Sequence, residues 1–391
     1  MKLNGCDSKQ TKSCDGGSEK RPLVLPMLTP RSSVCETPVS VPGLDQPFVT
    51  GSMDTPVGRA PRVSSSLTCQ DHWGTVKARW GVGRMDYTVE PGLYALGNPD
   101  NQSPVMATAN YKMSFDRLRE ALPGRSVWLL VLDTAGINVW CAAGNGTFGT
   151  VELFRRIASS GLDQVVSHRE LILPQLSGPG VAAHEVKKLS GFRVHYGPIR
   201  ASDLPAYLDA NLKATPEMRI KTFPLRERIA LIPIELVAAL KVGLLLMLLF
   251  FLISGLGGPA GYWENVRNYG MFAAVSLLVA ILAGAILTPL LLPVLPGRSF
   301  SVKGVIIGLA TAAVLLIVRN PDLTFWAGRL EALAWILLVS TITGYLAMNF
   351  TGASTYTSLS GVKKEMRIAL PLEVGAGVAG LCLWLASRFM A

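Results

Sequence analysis

The chain is poor in charge. Only 16% of its 391 residues are Asp, Glu, Lys or Arg, against 49% hydrophobic. That balance excludes a wholly water-soluble globule and calls for a part embedded in a membrane. Its six cysteines, at 6, 14, 35, 69, 141 and 382, include no Cys-x-x-Cys pair and no ferredoxin spacing. No iron–sulfur cluster is therefore expected in this chain. The four histidines, His72, His168, His184 and His195, make no metal-spaced pair. Residues 1–20 contain no apolar run, so no secretory signal is expected there. The net charge is +10, yet no basic–aromatic recognition motif accompanies it, and no nucleic-acid partner is expected. Much of the positive charge instead lies beside apolar segments, as at Arg219, Lys221, Arg226 and Arg228.

What is present divides the chain into four parts. Residues 1–45, rich in Pro, Ser, Gly and Thr, read as a disordered lead-in. From 46 to 216 the sequence looks globular. Val127 to Asp133 is a buried-strand run, and Leu162 to Val166, Glu170 to Leu173 and Phe192 to Tyr196 are short strand candidates. Helices are expected over 148–159 with Thr147 as cap, over 181–189 ending at Gly191, and from Ser202 to about Leu212. Strands alternating with helices imply an α/β domain with a largely parallel sheet. Residues 217–228 form a basic linker. Beyond it, apolar stretches at 231–255, 270–295, 302–318, 327–349 and 369–387 make a five-helix membrane domain over 229–391. Glu235, Lys241, Glu331 and Glu373 interrupt these stretches without forming a ladder, which favours anchoring over transport.

Loop charges orient the spans. Arg219, Lys221, Arg226 and Arg228 precede the first; Arg298 and Lys303 join the second to the third; Lys363, Lys364 and Arg367 join the fourth to the fifth. These segments are expected in the cytoplasm, together with the N-terminal domain, and the C-terminus outside.

One stretch carries distinctive chemistry. In Asn138-Val-Trp-Cys-Ala-Ala-Gly-Asn-Gly-Thr-Phe-Gly149 a lone cysteine stands behind a tryptophan and before a run of small residues. Small residues let a flat ligand approach the backbone, and a thiolate is a good ligand for a soft or borderline metal. Gly144-x-Gly146-x-x-Gly149 also matches the glycine fingerprint of dinucleotide-binding proteins, with Ile137 to Ala142 as the preceding strand and Glu170 downstream.

The stretch resembles the signature Asn-Val/Ile-Trp-Cys-Ala-Ala/Ser-Gly-Lys/Arg of the mercury-methylating corrinoid proteins (HgcA-type), membrane-anchored relatives of the corrinoid iron–sulfur proteins. Asn145 stands where that pattern is basic. Tyr87 to Gly97, Pro104 to Ser114 and Leu173 to His184 resemble the same corrinoid-protein core. Asn349 to Met366 resembles a loop of its membrane half. The resemblance implies an α/β Rossmann-like corrinoid-binding domain followed by an all-α five-helix transmembrane domain in the cytoplasmic (inner) membrane. It implies a cobalamin or related corrinoid, with Cys141 as the lower axial ligand of cobalt and the catalytic residue. Asn138, Val139, Trp140, Ala142, Ala143, Gly144, Thr147, Thr108, Asn110, Gly178, Gly180 and His184 are the expected cofactor contacts.

The implied activity is transfer of a methyl group from methyl–Co(III) corrinoid to inorganic Hg(II). The implied partners are a ferredoxin-type protein with two [4Fe–4S] clusters (HgcB-type) and a methyltransferase using a folate-type methyl donor. Three alternatives remain: a corrinoid methyl carrier of one-carbon metabolism, a dinucleotide-dependent membrane oxidoreductase, and a corrinoid-binding membrane protein without enzymatic activity.

Overall fold

The computed structural model describes residues 41–258, 260–353 and 359–390. Most of the expected lead-in, with Cys6, Cys14 and Cys35, lies outside the described residues, as does 354–358 of the expected cytoplasmic loop.

A seven-stranded mixed sheet organises the N-terminal half. In spatial order it runs β1 (Val49–Thr55), β2 (Gly58–Val63), β3 (Gly92–Leu96), β5 (Val127–Leu132), β4 (Val105–Ala109), β6 (Glu170–Leu173) and β7 (Arg193–Tyr196). Every residue of β3, β4 and β5 is buried. Such strands read as continuous apolar runs because both faces are covered. Pairs β4–β5, β4–β6, β6–β7 and β2–β3 are parallel. The sheet is less parallel than the alternation of elements suggests, because β3 and β5 run antiparallel and β1–β2 is a hairpin. The hairpin has no apolar alternation; Gly58, at φ +123°, makes its turn.

Among the described residues, seven α-helices accompany the sheet: α1 (Cys69–Arg79), α2 (Lys112–Glu120), α3 (Val139–Asn145), α4 (Thr150–Ser159), α5 (Leu162–Val165), α6 (Ala183–Ser190) and α7 (Leu204–Asp209). Three local expectations are corrected. Leu162 to Val166 is helical over α5, which opens at Gly161 (φ +58°); a short apolar run does not distinguish strand from helix by periodicity. Ile137 to Ala142 is not a strand, for α3 begins at Val139. Helix α4 starts at Thr150 with Gly149 as its cap, rather than at Phe148 with Thr147. Gly191, at φ +77°, ends α6 as expected.

Among the described residues, five helices of the C-terminal half are long and apolar enough to cross a membrane: Leu225–Ile253, Tyr262–Leu291, Phe300–Arg319, Trp326–Phe350 and Gly361–Phe389. The third, 20 residues long, rises about 30 Å at 1.5 Å per residue, enough for a bilayer core. Glu331 pairs with Arg319 at 3.0 Å. Buried Arg228 donates to the carbonyls of Pro289 and Leu290 at 2.9 and 2.6 Å, tying the start of the first span to the end of the second.

Candidate functional site: a cavity at the carboxyl ends of the strands

In sheets with parallel strands, ligands bind in the crevice beyond the carboxyl ends of the strands. Here β4 ends beside Thr108, β6 at Leu173 and β7 just before Gly197, and these residues line a cavity of about 400 Å³. Its walls are mostly apolar, among them Met106, Met113, Ile172 and Leu204. Ala230, Leu231 and Ile234 of the first span close one side.

Helix α3 forms another wall. Asn138 caps it, with Oδ1 accepting from the Cys141 amide at 3.0 Å. Asn138, Val139 and Trp140 line the cavity. Cys141 follows them, half-buried with a free thiol, beside the lining rather than in it. Ala142 and Ala143 are buried behind it, while Gly144 and Asn145 are exposed. Gly146, at φ +91°, ends the helix.

The cap depends on the loop before it, which Asn110 organises. Its Oδ1 accepts from the Thr134 amide (3.1 Å), the Thr134 hydroxyl (2.8 Å) and the Gly136 amide (3.0 Å). Asn110 therefore holds α3 in place from behind, whereas Thr108 faces the cavity. Thr147 donates through its hydroxyl and amide to Asn145 Oδ1 at 2.8 and 3.0 Å. In this chain Asn145 closes the turn after α3.

The remaining expected contacts lie elsewhere. The Gly178 amide donates to Gln175 O and the Gly180 amide to Ser177 O, so both are used within their own turn. Gly180 packs on α3: a Cβ there would meet the backbone of Ala143 and the carbonyl of Phe148. Gly180→Ala must push that backbone apart, costing about 1–3 kcal/mol. Denaturant unfolding checks this, and an unchanged midpoint would contradict the close packing. His184 is exposed on α6 and does not line the cavity.

The glycine fingerprint loses its geometric basis. Gly144 lies within a helix and Gly146 ends it, so the two do not make a strand-to-helix turn that cradles a pyrophosphate.

Of the lining, sequence reading placed Thr108, Asn138, Val139 and Trp140; among the residues it missed are Tyr111, Arg79, Arg84 and Arg117. The Tyr111 hydroxyl is buried and without a partner. Burial pushes its pKa up, so it stays protonated and able to donate. The Arg84 guanidinium lies 5.6 Å from the Tyr111 ring centroid. Only Tyr111 carried a signal, standing in the stretch from Pro104 to Ser114. The arginines reach the cavity through tertiary packing alone.

Residues 82–208 match a family described as CdhD, the CO dehydrogenase/acetyl-CoA synthase delta subunit. The chain is also similar to acetyl-CoA decarbonylase/synthase complex subunit gamma of several archaea. Identity is 33% over 124 residues with the Methanopyrus kandleri protein, covering 31% of this chain and 26% of that one. It is 33% over 128 residues with the Methanothermobacter thermautotrophicus protein, covering 32% and 28%. With the Methanocaldococcus jannaschii protein it is 38% over 96 residues, covering 24% and 20%. The chain thus spans about a quarter of the length of these curated relatives. The family match begins before β3 and ends within α7, so it includes α3 and the sheet edge at the cavity but none of the five apolar helices.

Proposed function

We propose that this chain is a membrane-anchored corrinoid protein that transfers a methyl group, with inorganic Hg(II) as the acceptor substrate. The observation that carries the reading is Cys141: a free, half-buried thiol in the first turn of α3, beside a cavity at the carboxyl edge of the sheet. The similarity of 82–208 to subunits of acetyl-CoA-synthesising complexes supports the methyl-transfer class. The mercury acceptor rests on the resemblance of residues 138–144 and of the membrane half.

The residues present fit a corrinoid. A thiolate is a suitable cobalt ligand. Tyr111 offers an unused hydroxyl within an apolar wall, suited to an amide side chain of the macrocycle. When bound, the corrinoid supplies a cobalt centre able to accept and release a methyl group. The protein's share is to hold that centre. Cys141 would hold the cobalt through its thiolate and Trp140 would pack against the macrocycle, while Ala142 and Ala143, buried behind them, would seat α3 and exposed Gly144 would leave its backbone open. The apolar walls would keep water from the metal. Asn138, Val139 and Thr108 complete the surround, with Asn110, Thr147 and Gly180 supporting α3; Gly178 and His184 lie further off.

The loop charges support a multi-pass protein of the inner membrane with its α/β domain in the cytoplasm and its C-terminus outside. In the cytoplasm a ferredoxin-type partner with two [4Fe–4S] clusters would return electrons, and a folate-dependent methyltransferase would supply methyl groups. A second reading, a methyl carrier of one-carbon metabolism, is favoured by the names of the relatives. Two measurements separate the readings. Purified protein should show corrinoid absorption bands. Loaded full-length protein given Hg(II) should yield methylmercury. Corrinoid bands without methylmercury would leave the carrier; absence of the bands on incubation with cobalamin would remove both.

A further inference from the structure

Helix α1 is amphipathic in the inverted sense. Its inner side carries Asp71, buried and ion-paired to Lys112 and Arg119. Its outer side carries Trp73 and Val76, 60% and 41% exposed, continued by Trp80, 48% exposed, just past its end. These positions follow i, i+3 or i+4 spacing and form one stripe. The turn that follows adds Val82 and Met85, 62% and 64% exposed. A soluble domain that leaves such a patch uncovered has a partner for it.

The position of the patch identifies the partner. Gly81, between Trp80 and Val82, lies against Ile234 and Val237 of the first span. Ile234 is the tenth of the 29 residues of that helix, so the patch sits beside one end of the span rather than its middle, the level at which amphipathic helices settle between headgroups and acyl chains. Tryptophan is enriched at that level. Residues 72–85 hold no carboxylate, and exposed Lys77 stands on the same side as the stripe, a charge suited to an anionic leaflet. Lys77 Nζ lies 5.8 Å from the Trp73 ring centroid, so charge and aromatic ring share one surface.

We propose that α1 and the turn after it are a second membrane contact: Trp73, Val76, Trp80, Val82 and Met85 enter the bilayer interface beside the first span. The inference rests on that span crossing the membrane. Arg79 and Arg84 also line the cavity, so the contact would hold one cavity wall at a fixed depth and turn its opening along the membrane surface.

Lipid photo-crosslinking tests this on the full chain. The protein is reconstituted in phosphatidylcholine–phosphatidylglycerol vesicles containing a phospholipid with a diazirine near its glycerol, illuminated, and mapped by peptide mass spectrometry. Adducts are expected on 69–85 as well as on the first span. A variant carrying Trp73→Glu and Trp80→Glu should lose the former and keep the latter. Adducts on the span with none on 69–85 of the unmodified chain would overturn the proposal and leave the span intact. Adducts on neither would overturn the spanning reading as well. The unmodified chain decides the matter even if the double variant misfolds.

Discussion

Replacing Cys141 with alanine is expected to abolish methyl transfer while leaving the fold intact. The two outcomes are separable because the side chain and the backbone of this residue do different things. Its amide, which survives substitution, donates to Asn138 and closes the first turn of α3. Its thiol is half-buried, so its removal costs little packing. Loss of residues behind a metal ligand already costs about 10–100-fold; loss of the ligand itself should exceed about 100-fold, or ~2.7 kcal/mol of barrier. Cys141→His should still take up corrinoid, since imidazole ligates cobalt, but with shifted absorption bands and altered methyl reactivity. The checks are circular dichroism for the fold, the optical spectrum for the ligand and single-turnover methylmercury formation for the chemistry. Full activity in Cys141→Ala would remove the proposed cobalt-ligand role.

Legibility differed sharply along the chain. The strand Val127–Leu132 was plain because a central strand buried on both faces must be a continuous apolar run. The five apolar helices were plain for a similar reason, since nothing but lipid or protein accommodates such stretches. Helix α3 was not legible. Ile137-Asn-Val-Trp-Cys-Ala reads locally as a strand, being apolar and partly β-branched. What makes it helical is the Asn138 cap and the turn before it, and that turn is set by Asn110, 24 residues earlier. The cavity was legible only on the side formed by residues 138–140 and Thr108. Its arginines, its tyrosine and its wall from the first span converge by packing, which leaves no local pattern. The outer stripe of α1 escaped notice because no helix was read over 69–79 at all: its inner side carries an ion-paired carboxylate in place of an apolar face, which leaves no amphipathic pattern.

The second large effect is expected at Lys112, on which the position of α1 depends. Its ammonium lies 2.7 Å from Asp71 and 2.6 Å from Asp116, and Arg119 reaches the same two carboxylates at 2.8 Å each. All four side chains are buried. Lys112→Met would leave two buried carboxylates sharing one guanidinium, at a cost of about 3–5 kcal/mol. Hydrogen exchange of the α1 and α2 amides reads this loss where it occurs. Adding Asp71→Asn to Lys112→Met should recover part of it, because the unpaired charge is gone. The same group predicts an acid limit. Burial alone would raise the Asp71 carboxyl, but the hydrogen bonds from Lys112, Thr68 and Arg119 outweigh it and hold its pKa well below the ordinary value. A carboxylate depressed in the folded state stabilises above its unfolded pKa and loses that contribution as pH falls through the folded one. Protection of α1 should therefore be level near neutrality and fall below about pH 4, with a shallower fall in Asp71→Asn. Since α1 ends at Arg79 and leads into Arg84, both in the cavity wall, Lys112→Met should also weaken cofactor binding. Unchanged exchange of α1 in Lys112→Met would show that the helix is held by its other contacts and that the quartet is dispensable.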